Sequence, residues 1–194
     1  MQRTNRLCGR PLNWAPDETL LELSQRGDAD AYVSLTTRHW DTVCRVAWNM
    51  LPSTAQAGQV ARATFLAVRN SREAFPRGVP FMTSLYRVVL GECWRRLRDA
   101  PVPPLPDRTA ASRIREMLLR LDSLDRAAFV LRQIEEVSLT DAAAILGIGP
   151  ASIRERTHRA TMLLMGVVAG GDESGARSFE HFISSRNQRP SIPS

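Results

Sequence analysis

Lysine is absent from this chain: all 26 of its basic residues are arginine, against 20 acidic ones. Arginine's planar fork matches phosphates and guanine edges as an ammonium does not, and wholesale loss of lysine in a GC-rich genome explains the same absence equally well. The net charge of +6 stands under either explanation and points to nucleic acid or an acidic protein partner. Cysteine is scarce too. Cys8, Cys44 and Cys93 form no CxxC pair and have no histidine at ligand spacing, so neither a disulfide framework nor a zinc site is encoded. Cys44 and Cys93 are expected to pack as small hydrophobes. No apolar run reaches the ~20 residues that a bilayer span needs, and the opening stretch MQRTNRLCGRPLNWAP lacks the apolar core of a signal peptide. The expectation is a cytoplasmic protein with no membrane insertion. His39, His158 and His181 have no nucleophile or paired carboxylates at meaningful spacing, and there is no Gly-rich phosphate loop. Neither an enzyme nor a cofactor nor a metal is expected.

What is present suffices for a folded core, since 43% of the 194 residues are hydrophobic. The clearest boundary is DAPVPPLPDRTA, where prolines remove backbone donors and favour extended chain. It divides the sequence into a basic arm (1–16), a helical domain (17–98), a Pro-rich linker (99–111), a second helical domain (112–168) and a polar tail (169–194) too poor in apolar residues to fold alone. In the first domain strand signals are absent and helix punctuation is frequent. Asp17 is placed to cap a helix running to Gly27. Asp28 caps a second that carries Ala31, Leu35, Trp40, Val43, Ala47, Met50 and Leu51 and stops at Pro52. Ser53 starts a third through about Arg72, and Pro80 opens a fourth with Phe81, Leu85, Val88, Val89 and Leu97 as its core stripe.

Beyond the linker the pattern is tighter. SRIREMLLRL forms one helix and Ser123 to Glu135 a second; Ser138 with Asp141 makes a capping box for the short helix DAAAIL, which Gly147 closes. Pro150 then sits in the first turn of a longer helix, where its missing N–H costs nothing. A short capped helix, a Gly turn and a longer helix make a helix-turn-helix, whose second helix enters the major groove. Ile153, Thr157, Ala160 and Leu164 fall on its buried stripe. Ser152, Glu155 and Arg159 face away, with Arg154 and Arg156 on the flanks. A helix-turn-helix of this size also occurs in modules that bind only protein.

LDSLDRAAFVLRQIEEVSLTDAAAILGIGPASIRERTHRA resembles region 4 of bacterial sigma factors of the extracytoplasmic-function group. Arg126, Phe129, Leu131 and Arg132 match that family's R-x-x-F-x-L-R; Asp141 and Ala143 match the start of its short helix; Leu146, Gly147 and Ile148 match L-G-I. Ser152, Ile153, Arg156, Arg159 and Ala160 match its recognition helix. The first domain is similar to region 2 of the same family through Gly27, Asp28, Ala31, Leu35 and Leu51. There the match is partial. Where the family has an acidic run ending in phenylalanine, this chain has QAGQVARATF, with no carboxylate from Gln56 to Phe65. On the fourth helix Ser84, Gly91 and Arg95 stand where the family tends to have Trp, Asn and Asp.

The resemblance implies an all-α protein of two small helical domains, a region 2-like four-helix bundle and a region 4-like helix-turn-helix domain. It implies a sigma factor that binds core RNA polymerase and directs transcription from chosen promoters. The minus-35 element would be read by Ser152, Arg154, Glu155, Arg156 and Arg159, since arginine forks onto guanine and a carboxylate accepts from cytosine. The minus-10 region would meet Tyr86, Arg87, Arg95, Arg96 and Arg98, and polymerase would meet Gln56, Gln59, Arg62 and Phe65. Promoter DNA, core polymerase and an anti-sigma factor are the implied partners. Two other readings stand beside this one: a sigma-like protein that occupies an anti-sigma factor without initiating transcription, and a plain helix-turn-helix repressor that uses only the C-terminal domain.

Overall fold

The computed structural model describes residues 12–97 and 110–169, and among these every regular element is helical. A single 3₁₀ turn at Leu12–Trp14 precedes α1 (Asp17–Gln25), α2 (Ala29–Met50), α3 (Thr54–Asn70) and α4 (Phe81–Leu97); α5 (Ala110–Arg120), α6 (Ser123–Phe129), α7 (Leu139–Leu146) and α8 (Pro150–Ala169) follow. Most of the basic arm, most of the linker and the tail from residue 170 lie outside the described residues.

The punctuation works largely as its chemistry dictates. The Asp28 carboxylate accepts from the amide of Ala31, and the Ser53 hydroxyl accepts from that of Gln56, so each caps the helix that follows it. Asp17 behaves differently. It lies in the first turn of α1 with Pro16 at the cap position, and its carboxylate pairs with Arg38 and, at 2.9 Å, with His39 Nε2 on α2. A side chain one residue inside the helix serves the packing of α1 on α2 instead of the helix end.

Leu20, Leu35, Val43, Met50, Val60, Phe65, Phe81, Leu85 and Val89 are all 2% exposed or less and form the centre of the four-helix unit. Trp40 stacks on Phe65 with centroids 5.6 Å apart, and Phe75 on Phe81 at the same separation. In the second unit Ile114, Leu118, Phe129, Leu131, Ile153, Ala160 and Leu164 are buried. The helix expected from Ser123 to Glu135 changes pitch, being α-helical over Ser123–Phe129 and π-helical over Val130–Ile134. Burying both Leu131 and Ile134 while leaving Glu135 aimed at α2 is what the wider turn achieves here.

The two units meet along a seam. Arg126 of α6 donates to Met50 O at 2.6 Å, and Arg115 of α5 donates to Leu51 O at 3.0 Å and Trp48 O at 3.3 Å, so two guanidiniums cap the C-terminal end of α2. Arg115 also lies over the Trp48 ring at 3.8 Å. Glu135, its side chain only 2% exposed, receives Arg45 of α2 at 2.6 and 2.7 Å in a two-pronged pair.

Candidate nucleic-acid interface

The turn before α8 is built by three residues. Ser138 Oγ accepts from the Asp141 amide at 3.0 Å and donates to the Asp141 carboxylate at 2.6 Å, fixing the start of α7. Gly147 ends that helix at φ 67°, in the left-handed region where a Cβ is strained. Its amide returns to Ala143 O, and the chain re-enters helix at Pro150.

On α8, Ile153, Ala160 and Leu164 are fully buried and Thr157 is nearly so, packed against α5, α6 and α7. This is the stripe that the spacing predicts. The opposite side presents Ala151, Arg154, Glu155, His158 and Arg159 to solvent, while Ser152 and Arg156 are half-buried at its margins. Arg154 has no polar partner among the described residues, so its whole fork is available. His158 belongs to this ridge as well. Its position four residues after Arg154 and three after Glu155 was the available signal for placing it there.

Two of the ridge arginines are tied to the domain beneath them. Asp125, in the first turn of α6 and 4% exposed, accepts from Arg156 at 2.6 Å through one oxygen and from Arg159 at 3.2 Å through the other. Arg156 also lies 3.9 Å from Asp122, and Arg159 donates its second prong to Glu155 at 2.8 Å. The five side chains form one chain of alternating charge running from the α6 N-terminus out along α8.

The other candidate surfaces divide between core and solvent. On α4, Tyr86 is buried, its hydroxyl donating to Glu135 at 3.4 Å, and burial together with that carboxylate pushes the phenol well above its ordinary range. Arg87 is exposed but donates to Ala144 O of α7 at 2.7 Å. Arg95 and Arg96 both pair with Glu92 one turn earlier, and Arg98 lies outside the described residues. On α3, Gln59 and Arg62 are exposed and Gln56 is half-buried. Phe65 and Tyr86 therefore depart from the sequence reading as contact residues: both are drawn inward, Phe65 to stack on Trp40 at 2% exposure, because an aromatic face finds more apolar area inside than outside. Leu66, one turn after Arg62 on α3, is 55% exposed and Val33 on α2 is 59% exposed, and the sequence reading did not single out either. Arg69 of α3 lies over the Tyr32 ring of α2 at 5.6 Å.

The model of "Sigma-70, region 4" matches residues 111–164, the stretch from α5 through the ridge. The chain is 28% identical over 157 residues to the ECF RNA polymerase sigma factor SigM of Mycobacterium tuberculosis, covering 74% of this chain and 80% of that protein. It is 30% identical over 156 residues to the RNA polymerase sigma factor CarQ of Myxococcus xanthus, covering 72% of this chain and 90% of that one. This chain belongs to the ECF RNA polymerase sigma factors. Among solved structures, CnrH in complex with the cytosolic domain of CnrY matches with a TM-score of 0.67 at 25% identity, over 80% of this chain and 99% of that one. The likeness to these sigma factors thus runs through both helical units, including the four-helix unit whose α3 lacks the acidic run.

Proposed function

We propose that this sigma factor assembles with core RNA polymerase and directs it to a set of promoters, with α8 reading the minus-35 element in the major groove. It acts in the cytoplasm, by binding and positioning, with no bond-making chemistry of its own. The observation that carries the reading is the ridge of α8: Arg154, Glu155, His158 and Arg159 stand in solvent while Ile153, Thr157, Ala160 and Leu164 anchor the helix from behind. A free guanidinium, a carboxylate and a second guanidinium within two turns supply donors for guanine and an acceptor for cytosine. The remaining arginines suit phosphates. In this reading the domain limits are those of the sequence, 17–98 for the polymerase and minus-10 unit and 112–168 for the minus-35 unit.

Polymerase meets the α2–α3 face carrying Gln59, Arg62 and Leu66, where apolar area takes over from the carboxylates that the family usually places there. Minus-10 DNA runs along Arg87, Arg95 and Arg96, which requires α7 to leave its contact with Arg87. An anti-sigma factor is the partner suited to hold the two units closed, as their seam is already formed in the free chain. Neither rival reading is favoured: the relatives matched over both units are RNA polymerase sigma factors by name, and a repressor built on the C-terminal unit alone leaves residues 17–98 without a role.

The test is run-off transcription. Core polymerase supplemented with the purified chain is expected to yield discrete transcripts from a genomic template library, and core polymerase alone is not. A chain that binds duplex DNA but neither co-elutes with core polymerase nor yields transcripts would overturn the assignment.

A further inference from the structure

We infer that Asp125, which the ridge hides from solvent, is a positioning residue for promoter recognition: it sets the sequence discrimination of α8 by holding Arg156 and Arg159 in fixed directions. The inference rests on the reading of α8 as the minus-35 helix and adds to it a residue that never reaches DNA. Its side chain is 6% exposed, and it spends one oxygen on each arginine, at 2.6 and 3.2 Å. Glu155, on the ridge itself, holds the second prong of Arg159 at 2.8 Å. Arg159 is thereby clamped between two carboxylates, one on each terminal nitrogen of its fork, which fixes the plane in which its remaining N–H groups lie. Arg156 has its Nε enclosed without a polar partner and its Nη1 on Asp125. A free arginine spreads over many rotamers and finds phosphates wherever they lie; a clamped one presents the same donors to the same base edge each time.

Asp125 also reaches further than α8. It sits in the first turn of α6, where the helix dipole favours a carboxylate, and it precedes Arg126, whose guanidinium caps α2. The residue that orients the reading side chains is therefore adjacent to the one that ties the reading domain to the rest of the protein.

Removing the charge at Asp125 has opposite effects on two quantities. Freed arginines and one less carboxylate near DNA strengthen sequence-independent binding, while loss of fixed directions weakens discrimination. The experiment uses the full chain assembled with core polymerase. Duplexes enriched by the wild type from a randomised pool serve as the specific probe, and a scrambled duplex of equal composition serves as the non-specific one. Asp125→Asn is expected to lower the ratio of specific to non-specific affinity by about tenfold, and to steepen the dependence of log affinity on log salt by about one for each arginine that gains a phosphate. Asp125→Glu, which keeps the charge, is expected to keep the wild-type salt slope with an intermediate ratio. A merely structural role would lower both affinities together and leave the ratio unchanged, as would be seen alongside circular dichroism melts of each variant. A folded Asp125→Asn that discriminates like the wild type overturns the inference and leaves the assignment of α8 intact. A wild type that enriches no sequence removes both.

Discussion

The seam between the two units and the ridge of α8 are built from the same residue type and use it in opposite ways. At the seam, Arg115 and Arg126 are 6% and 4% exposed, and their guanidiniums are spent on backbone carbonyls. Burial lowers both from their usual basicity to about 10, with no carboxylate bonded to restore it, yet each stays charged at neutral pH. On the ridge, Arg154 and Arg159 are exposed, and Arg159 is paired to carboxylates that leave part of its fork open. Arginine content alone thus says nothing about DNA. What separates Arg115 and Arg126 from the ridge is the acceptor: their helix-end carbonyls are fixed and buried and hold the guanidinium inside, whereas the Asp125 carboxylate, at the foot of a helix, holds two guanidiniums that reach outward along α8.

The comparison breaks most visibly at Arg126. Arg126→Ala strips charged donors from Met50, Leu119 and Leu121, which end α2 and α5, and leaves their carbonyls buried. The expected loss is about 3 kcal/mol, since each orphaned acceptor costs roughly 1–3 kcal/mol and neighbours relax to recover part of it. Urea denaturation checks this, with Arg154→Ala as the counterpart that should stay within about 0.5 kcal/mol of the wild type. Equal stability of the two variants would erase the distinction between seam and ridge.

From the other side, Arg156→Ala is expected to weaken binding of the holoenzyme to its promoter by about 1–3 kcal/mol if the residue reads a base, and more uniformly across sequences if it holds a phosphate. A gel shift against matched and scrambled duplexes separates the two, and unchanged binding takes Arg156 off the interface. Gly147→Ala examines the turn that points α8 outward. Nothing lies within 4 Å of a Cβ built there, so the expected cost of about 1 kcal/mol comes from the backbone alone at φ 67°. A thermal melt reads it, and Gly147→Asn should cost less because Asn tolerates the left-handed region.

Much of this was legible in the sequence wherever a local rule decides the outcome. Asp28, Ser53, Ser138, Gly147 and the 153/157/160/164 stripe each depend on neighbours within a few residues, and each stands where its chemistry puts it. Cys44 and Cys93 are buried, their thiols pushed up to about 11 and about 12 chiefly by desolvation, in keeping with a packing role. What the sequence did not disclose depends on partners far along the chain. Asp17 stands where a cap is expected but is claimed by Arg38 and His39, more than twenty residues away. Asp125 looks like any first-turn carboxylate until α8 folds back over it. Arg126 was matched to a family motif, but its bond to Met50 spans 76 positions and cannot be inferred from spacing. The π-helical turn at Val130–Ile134 has no composition cue either, since Val-Leu-Arg-Gln-Ile suits an ordinary helix as well.

Arg95 offers the smallest and finest test, because it stands between the two uses of arginine. It is exposed at 61% of its side chain, near the C-terminal end of α4, and paired with Glu92, which also holds Arg96. As a solvated helix end it contributes little: a pair one turn apart on a helix, with its arginine exposed, is worth about 0.5 kcal/mol, and Arg96 would keep the buried Glu92 occupied after Arg95→Ala. As a phosphate contact it would leave stability equally untouched but would lower the salt slope of promoter binding by about one. Stability therefore cannot tell the uses apart, and the salt series can. The expected outcome is a reduced slope with an unchanged melt, since Arg95 has 61% of its side chain exposed to meet a phosphate, and Arg96, at 26%, keeps Glu92 paired without it.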